Sequence, residues 1–324
     1  MDTLELLRLN LLSPMVLAFV LGIVATLVHS DLKFPEALYT SLSIYLLLSI
    51  GLKGGAELST TPLTALWKPA LATLALGIFT PVASYALLRR WGRFSVADAA
   101  ALAAHYGSVS AVTFIAAITF MQALGEPVEG FMPTLVAMLE VPAIVIALLI
   151  ARRGMSGTGS LSEAIHEIFA GRSILLLAGG LFIGFLSGKK GLEQIAPVFV
   201  DSFRGVLVLF LLEMGMVAAK RLRDLSKVGF FLLAFGVVMP VFQGMLGVGL
   251  GSLAGLSLGG ATVLGTMAAS ASYIAAPAAV RIALPQANPS LYLTAALGIT
   301  FPFNLALGIP LYYAISRWLH ATAS

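Results

Sequence analysis

The sequence predicts an all-α polytopic membrane protein: ten transmembrane helices in two inverted five-helix repeats, with interrupted fourth and ninth helices crossing at the midplane. Three observations lead there. Hydrophobic residues make up 59% of the 324 and charged residues only 10%, against about 25% charged in ordinary soluble domains. Apolar stretches long enough to cross a bilayer recur from end to end. Landmark spacings in the first half return in the second. Fifteen acids and nineteen bases cannot cover a soluble globule of this size, which excludes a soluble enzyme, a nucleic-acid-binding module and a disordered chain. With no cysteine there is neither a disulfide nor thiolate chemistry.

The ten apolar segments run over 14–29, 38–53, 68–90, 96–123, 132–151, 173–188, 203–219, 227–254, 259–284 and 291–315. The first follows a mixed-charge start without a clear cleavage site, so it reads as a spanning helix and not a removable signal; no mitochondrial-type leader is present. Residues 1–155 form the first repeat (helices 1–5), 156–172 a cytoplasmic linker and 173–324 the second repeat (helices 6–10). The polar stretch from Arg152 to Arg172 around the linker includes Met155-Ser-Gly-Thr-Gly-Ser160, a flexible composition, and Ser162-Glu-Ala-Ile-His-Glu167, suited to a short amphipathic surface helix. Twelve of the 19 Lys and Arg fall in the odd-numbered loops, among them Arg89, Arg90, Arg152, Arg153, Lys220 and Arg221. Those loops are therefore expected to be cytoplasmic, with both termini outside a bacterial inner membrane. The same orientation role accounts for the net charge of +4 without an acidic partner.

The halves echo each other. Ser108 follows Gly51 by 57 residues and Ser270 follows Gly215 by 55; Pro142 follows Ser108 by 34 and Pro302 follows Ser270 by 32. Leu102/Leu264, Ser108/Ser270 and Ser110/Ser272 match outright. Five helices per half is odd, so the second copy enters the membrane from the opposite face, a transporter arrangement. At equivalent places the fourth helix carries His105-Tyr-Gly-Ser-Val-Ser-Ala-Val-Thr113 and the ninth Ala268-Ala-Ser-Ala-Ser-Tyr-Ile-Ala-Ala-Pro277. Gly107 and Pro277 permit a break in each. A broken helix offers backbone N–H groups and a positive dipole end to an anion, while freed carbonyls and hydroxyls suit Na+. Hydroxyl residues in spanning helices also bond back to the preceding turn and let helices approach closely; the matched position of the two clusters favours a site.

Ionisable groups inside a membrane are costly. Glu140, just before Pro142, has Thr300 as its repeat partner with Asn304 close by, and Glu213 lies in the seventh helix. The pocket so defined takes an anion at Gly107, Ser108, Ser110, Thr113, Ser270, Ser272 and Tyr273, and Na+ at Ser110, Thr113, Glu140, Ser272, Thr300 and Asn304. Asp98 sits near an interface, Lys53 snorkels to one, and a lone His105 reads as structural. Gly54-Gly55 and the glycines of 244–260 serve close packing and are not phosphate loops.

Ile50-Gly-Leu-Lys-Gly-Gly55, the stretch from Gly107-Ser-Val-Ser110 to Thr113, Leu139-Glu-Val-Pro-Ala143, Met214-Gly-Met216, and Ala268-Ala-Ser-Ala-Ser272 with Pro285-Gln-Ala-Asn-Pro-Ser290 together give a chain that resembles the sodium-dependent bicarbonate transporters described in cyanobacteria and their bacterial permease relatives. The resemblance runs through nearly all of the chain. It implies two inverted repeats, a core domain moving against a scaffold in a homotrimer, and Na+-driven bicarbonate uptake with Ser108, Ser110, Thr113, Ser270 and Ser272 at the site. It also implies a PII-like cytoplasmic regulator. The chain departs from cyanobacterial members in three respects. Tyr273 stands where they carry an acid, Glu140 where they carry Asp, and the central loop is much shorter.

The function expected is a secondary active transporter for bicarbonate, coupled to Na+, working by elevator-like alternating access; no cofactor beyond Na+ and no metal beyond it is expected. Another small anion (a carboxylate or sulfate) with Na+ or proton coupling is the alternative. An intramembrane enzyme is disfavoured: His29, His105, His166 and His320 are scattered, no zinc motif or paired-aspartate motif occurs, and Ser108 with His105 lacks a third partner. A passive channel would not need inverted repeats with broken helices.

Overall fold

The structure is a computed structural model that describes residues 3–154, 160–222 and 229–323. Every regular element among them is helical. The chain starts with α1 (Thr3–Leu11), bent by 60° onto α2 (Pro14–Leu27), a short leading helix that the apolar count does not register. α3 (Glu36–Leu58), α4 (Leu63–Arg90), α5 (Val96–Gly107), α6 (Ala111–Leu124) and α7 (Met132–Gly154) complete the first half. α8 (Leu161–Ala170) precedes α9 (Arg172–Gln194), α10 (Phe203–Leu222), α11 (Phe230–Leu253), α12 (Leu258–Ala268) and α13 (Ala275–Ala283). The last helix runs from α14 (Pro289–Leu293) through α15 (Phe301–Phe303) to α16 (Ile309–Ala323), its two intervening stretches, Thr294–Thr300 and Asn304–Gly308, being wound as wide π turns.

Seven helices are long and apolar enough to cross a membrane, or eight with α1–α2 as one bent span, among the described residues. The sequence reading gives ten. The two outside this set are α10, which carries Arg204, Glu213, Lys220 and Arg221, and the interrupted α12–α13. The expected linker splits: 155–159 lie outside the described residues, while 161–170 form the amphipathic α8, burying Ala164 and Ile168. Of the basic loop residues, Arg223 and Lys227 also lie outside the described residues.

Local chemistry sets the helix starts. Ser13, Ser95, Ser110, Ser160 and Ser257 each accept a bond from an N–H in the first turn that would otherwise lack a partner. Asn288 does the same before Pro289. α6 stops at Gly125, whose φ of +71° is the left-handed cap that glycine adopts without strain.

Two helix pairs pack along each other, α3 with α9 and α2 with α10. Both meet backbone to backbone. A Cβ on Gly51 would stand 2.6 Å from Leu177 O, and one on Gly180 would stand 3.0 Å from the Cα of Gly51. In the other pair, a Cβ on Gly215 would stand 2.0 Å from Phe19 O, and one on Gly22 would stand 2.0 Å from Leu212 O. Only glycine allows that approach. The rest packs around the interrupted helices: α4 against α5 and α7, α5 against α7, and α11 against α12 and α16. The α5–α6 span and the last helix are the most enclosed of the spans, each with 72% of its apolar window buried, against 22% for α9. Phe182, Ile183 and Leu186 on α9 are more than half exposed, the apolar face expected against lipid.

Candidate functional site

The fourth predicted segment is interrupted at Ser108-Val109-Ser110, where Ser108 and Ser110 are extended (ψ 172° and 112°) between α5 and α6. The ninth is interrupted between Ala268 and Ala275. Pro277 falls in the first turn of α13, where its missing N–H costs nothing. The two breaks meet. Ser110 N–H donates to Ser270 Oγ at 2.8 Å, and Ser272 N–H donates to His105 O at 2.8 Å. Groups freed from one helix thus satisfy the other, as burial requires.

Each second half-helix begins at this crossing. Ser110 Oγ caps α6, accepting from Thr113 N–H at 3.2 Å and Thr113 Oγ1 at 3.0 Å. Ser272 Oγ accepts from Ala276 N–H in α13 at 3.4 Å. Val109, Ser110 and Ala111 from one start, and Ser272, Tyr273 and Ile274 from the other, line one small cavity that Glu140 and Ser173 close. The gaps between these residues are too narrow for a water molecule. Ser173 Oγ donates to Glu140 Oε1 at 2.9 Å, and Ser108 Oγ donates to Glu140 O at 3.2 Å. Tyr273 packs edge-on against Phe301, and its buried hydroxyl makes no hydrogen bond among the described residues.

The predicted residues therefore divide. Ser110, Ser272, Tyr273 and Glu140 share the cavity. Ser108, Thr113 and Ser270 are bonded to that set. Gly107 ends α5 against Pro81 and Ala143, and its carbonyl accepts from Thr80 at 3.4 Å. Asn304 stands behind the second break: its Nδ2 donates to Ala269 O at 2.8 Å, and its Oδ1 accepts from Tyr312 OH. Thr300 is turned away, donating to Gly236 O at 2.7 Å and accepting from Tyr106 OH at 2.6 Å. Glu213 is buried on α10 outside the cavity. His105 donates through Nδ1 to Ala101 O and stacks on Tyr292, a packing role. Asp98 accepts from Asn288 N–H and pins the turn before α14.

Sequence reasoning missed Ser173, which carries no spacing signal: it opens an apolar segment beside Arg172 and looks like a helix-start serine. It also missed Val109 and Ile274 as lining residues of the cavity. The Lys53 ammonium lies 4.1 Å over the Phe203 ring in a second cavity of about 670 Å³.

Two positive half-helix ends, the hydroxyl residues Ser110, Ser173, Ser272 and Tyr273, and one carboxyl around one cavity suit an anion and a hard cation held together. A family model described as the Na+-dependent bicarbonate transporter superfamily matches residues 14–317. No curated protein matches the chain.

Proposed function

The chain belongs to the Na+-dependent bicarbonate transporter superfamily, and on that premise we propose that it is a secondary active transporter coupling Na+ to bicarbonate uptake across the cytoplasmic membrane. The observation that carries the reading is the meeting of the two half-helix starts at one cavity that also holds Glu140. The cavity widens to admit bicarbonate, which sits against the N–H groups of Val109, Ala111, Tyr273 and Ile274, those of Ser110 and Ser272 being spent on the crossing, with the Ser110, Ser272 and Tyr273 hydroxyls around it. Na+ takes oxygen from Glu140, Ser110, Thr113 and Ser272, with Asn304 holding the second break in place. Thr300 is left out of the proposed Na+ shell because its hydroxyl is committed elsewhere. An anion beside the Glu140 carboxylate is repelled unless a cation accompanies it, so each ion raises the affinity for the other.

The ten-span inverted-repeat architecture belongs to this proposal, with domains at 1–155 and 173–324 and both termini outside. Its support is a set of contacts between repeat-equivalent positions. Gly22 meets Gly215 as Gly180 meets Gly51, and Gln243 donates to Ser84, 159 residues away, at 3.2 Å. Ser110 and Ser272 cross in the same sense, and the offset between equivalents stays within 158 to 164 residues. The glycine-locked α2, α3, α9 and α10 serve as scaffold and the remaining spans as an elevator-like core. A homotrimer is proposed on the family likeness, and no regulator is included.

The test is uptake of radiolabelled bicarbonate into proteoliposomes under a Na+ gradient. Uptake that persists when K+ replaces Na+ at fixed pH overturns the coupling. Tyr273, standing where cyanobacterial members carry an acid, favours a second reading with the same mechanism and a small carboxylate or sulfate as cargo. Competition by formate, acetate or sulfate separates the two.

A further inference from the structure

One buried acid has no part in the proposed transport site. Glu213 sits at the centre of α10, ten residues after Phe203 and nine before Leu222. It is 8% exposed, its Oε2 has no hydrogen-bond partner, and no ion pair reaches it among the described residues. It shares a helix face with Phe210 three residues earlier, and the Phe210 ring stacks on Tyr39 of α3 with 5.4 Å between ring centres. Arg172 and Glu213 are the two charges that bear on the Tyr39 hydroxyl. A short chain of contacts joins this helix to the cavity at the breaks. Two residues on, Gly215 rests against Phe19 O of α2. Phe19 meets Phe301 edge-on at 5.4 Å, and Phe301 meets Tyr273 of the cavity edge-on at 5.6 Å.

An ionised carboxylate buried without a partner in a membrane span is costly. A basic side chain, a metal ion or a proton can neutralise it. The cation that bears on Glu213 is Lys220, seven residues and about 10 Å further along the same helix. Arg172 gives its Nη1 to Thr40 Oγ1 at 3.4 Å. α2 and the wide turn Thr294–Thr300, both packed on α10, carry no ionisable side chain. Lys53 and Glu57 of α3, and Asp201 of the turn Pro197–Asp201, stand with Phe203 and Arg204 around the larger cavity at the other end of α10. A hard cation needs several oxygens. The hydroxyl that α2 brings against α10, Thr26, is spent on Gly22 O at 3.2 Å and Met216 O at 3.5 Å. No group of three acids or imidazoles able to hold a metal ion occurs among the described residues. A proton needs only one oxygen.

We propose that Glu213 is a proton-binding site beside the transport cavity, protonated in this arrangement, and that its proton favours loading of the anion. Ionised, Glu213 adds a second negative charge, besides Glu140, to the surroundings of an anion site; the proton removes it, so proton and anion each raise the affinity for the other. The effect on loading rests on the anion-transport reading; the proton site itself does not.

Two measurements keep these apart. Infrared difference spectroscopy of the detergent-purified full chain reads the site directly. Exposed carboxyls are ionised at neutral pH, so a carbonyl band of protonated acid that shrinks in Glu213→Gln and in Glu213→Leu marks the bound proton. A band as strong in both variants as in the wild type overturns the site, whatever the transport result. A band that shrinks, in a protein whose wild type takes up no bicarbonate, upholds the proton site and removes the transport reading. In proteoliposome uptake at a fixed Na+ gradient, the apparent KM for bicarbonate, counted as the anion at each pH, rises about five-fold in the wild type as the pH is raised through the titration of that band. Glu213→Gln and Glu213→Leu keep the low value throughout. A wild-type KM that ignores pH, or the same pH course in both variants, overturns the role in loading.

Discussion

Ser270 and Ser272 occupy the same break two residues apart, yet the structure gives them opposite duties. Ser270 is completely buried and Ser110 is 3% exposed, and the hydroxyl of the first is the acceptor for the N–H of the second across the crossing. Ser270→Ala strips that acceptor and leaves a backbone donor buried without a partner, a loss of about 1–3 kcal/mol. Met267 O loses a donor as well. Ser272→Ala removes only a long 3.4 Å cap from Ala276 N–H, worth about 0.5 kcal/mol at that geometry. Ser272 lines the cavity and Ser270 does not. Unfolding in detergent should therefore show Ser270→Ala destabilised by about 2 kcal/mol and Ser272→Ala close to wild type. In proteoliposome uptake, Ser272→Ala should raise the apparent KM for bicarbonate, with Ser270→Ala mainly lowering the amount of active protein. If Ser272→Ala proves the less stable of the two, or if only Ser270→Ala weakens substrate affinity, the assignment of tie and ligand is reversed and the reasoning fails.

Three further outcomes follow from the geometry. Glu140→Gln keeps the Ser173 contact but removes the charge, so bicarbonate uptake should lose most of its Na+ dependence; a Na+ response equal to wild type would clear Glu140 of any part in coupling. Thr300→Val breaks the bonds to Gly236 O and Tyr106 OH and should lower stability by about 1–2 kcal/mol while the Na+ concentration for half-maximal uptake stays put; a shifted Na+ response would return Thr300 to the ion shell. Gly215→Leu drives a side chain into the Phe19 carbonyl and should abolish a monodisperse peak in size-exclusion chromatography, whereas Gly205→Leu, with nothing within 4 Å of its Cβ position, should not.

Much of this was legible in the residues. Both interruptions fall where small and hydroxyl residues replace the apolar run, because such residues cannot stabilise a lipid-facing helix and their side chains can cap a new one. Glycine placement foretold close packing, and the glycines at 51 and 215 used as landmarks both sit where a Cβ would press on a neighbouring helix's backbone. Helix ends were less legible. Hydropathy closes the second segment near residue 53, but α3 continues through Lys53-Gly-Gly-Ala-Glu to Leu58, since a helix ends where its backbone finds other partners and not where side chains turn polar. Side-chain direction was not legible at all. The proposed repeat matches Glu140 with Thr300, yet one hydroxyl-bonded carboxyl lines the cavity and the other group faces Tyr106. Ser173 had no neighbour in sequence to announce it.

The glycine contacts carry a mechanical corollary. Where backbone rests directly on backbone there is no layer of side chains to repack, so shifting α2 along α10, or α3 along α9, by a single residue would press a larger side chain onto a carbonyl. Each couple can drift only as a solid block. Whatever exchange of exposure this molecule undergoes must take place along other seams, such as those where α3 and α10 adjoin α7 and the final helix.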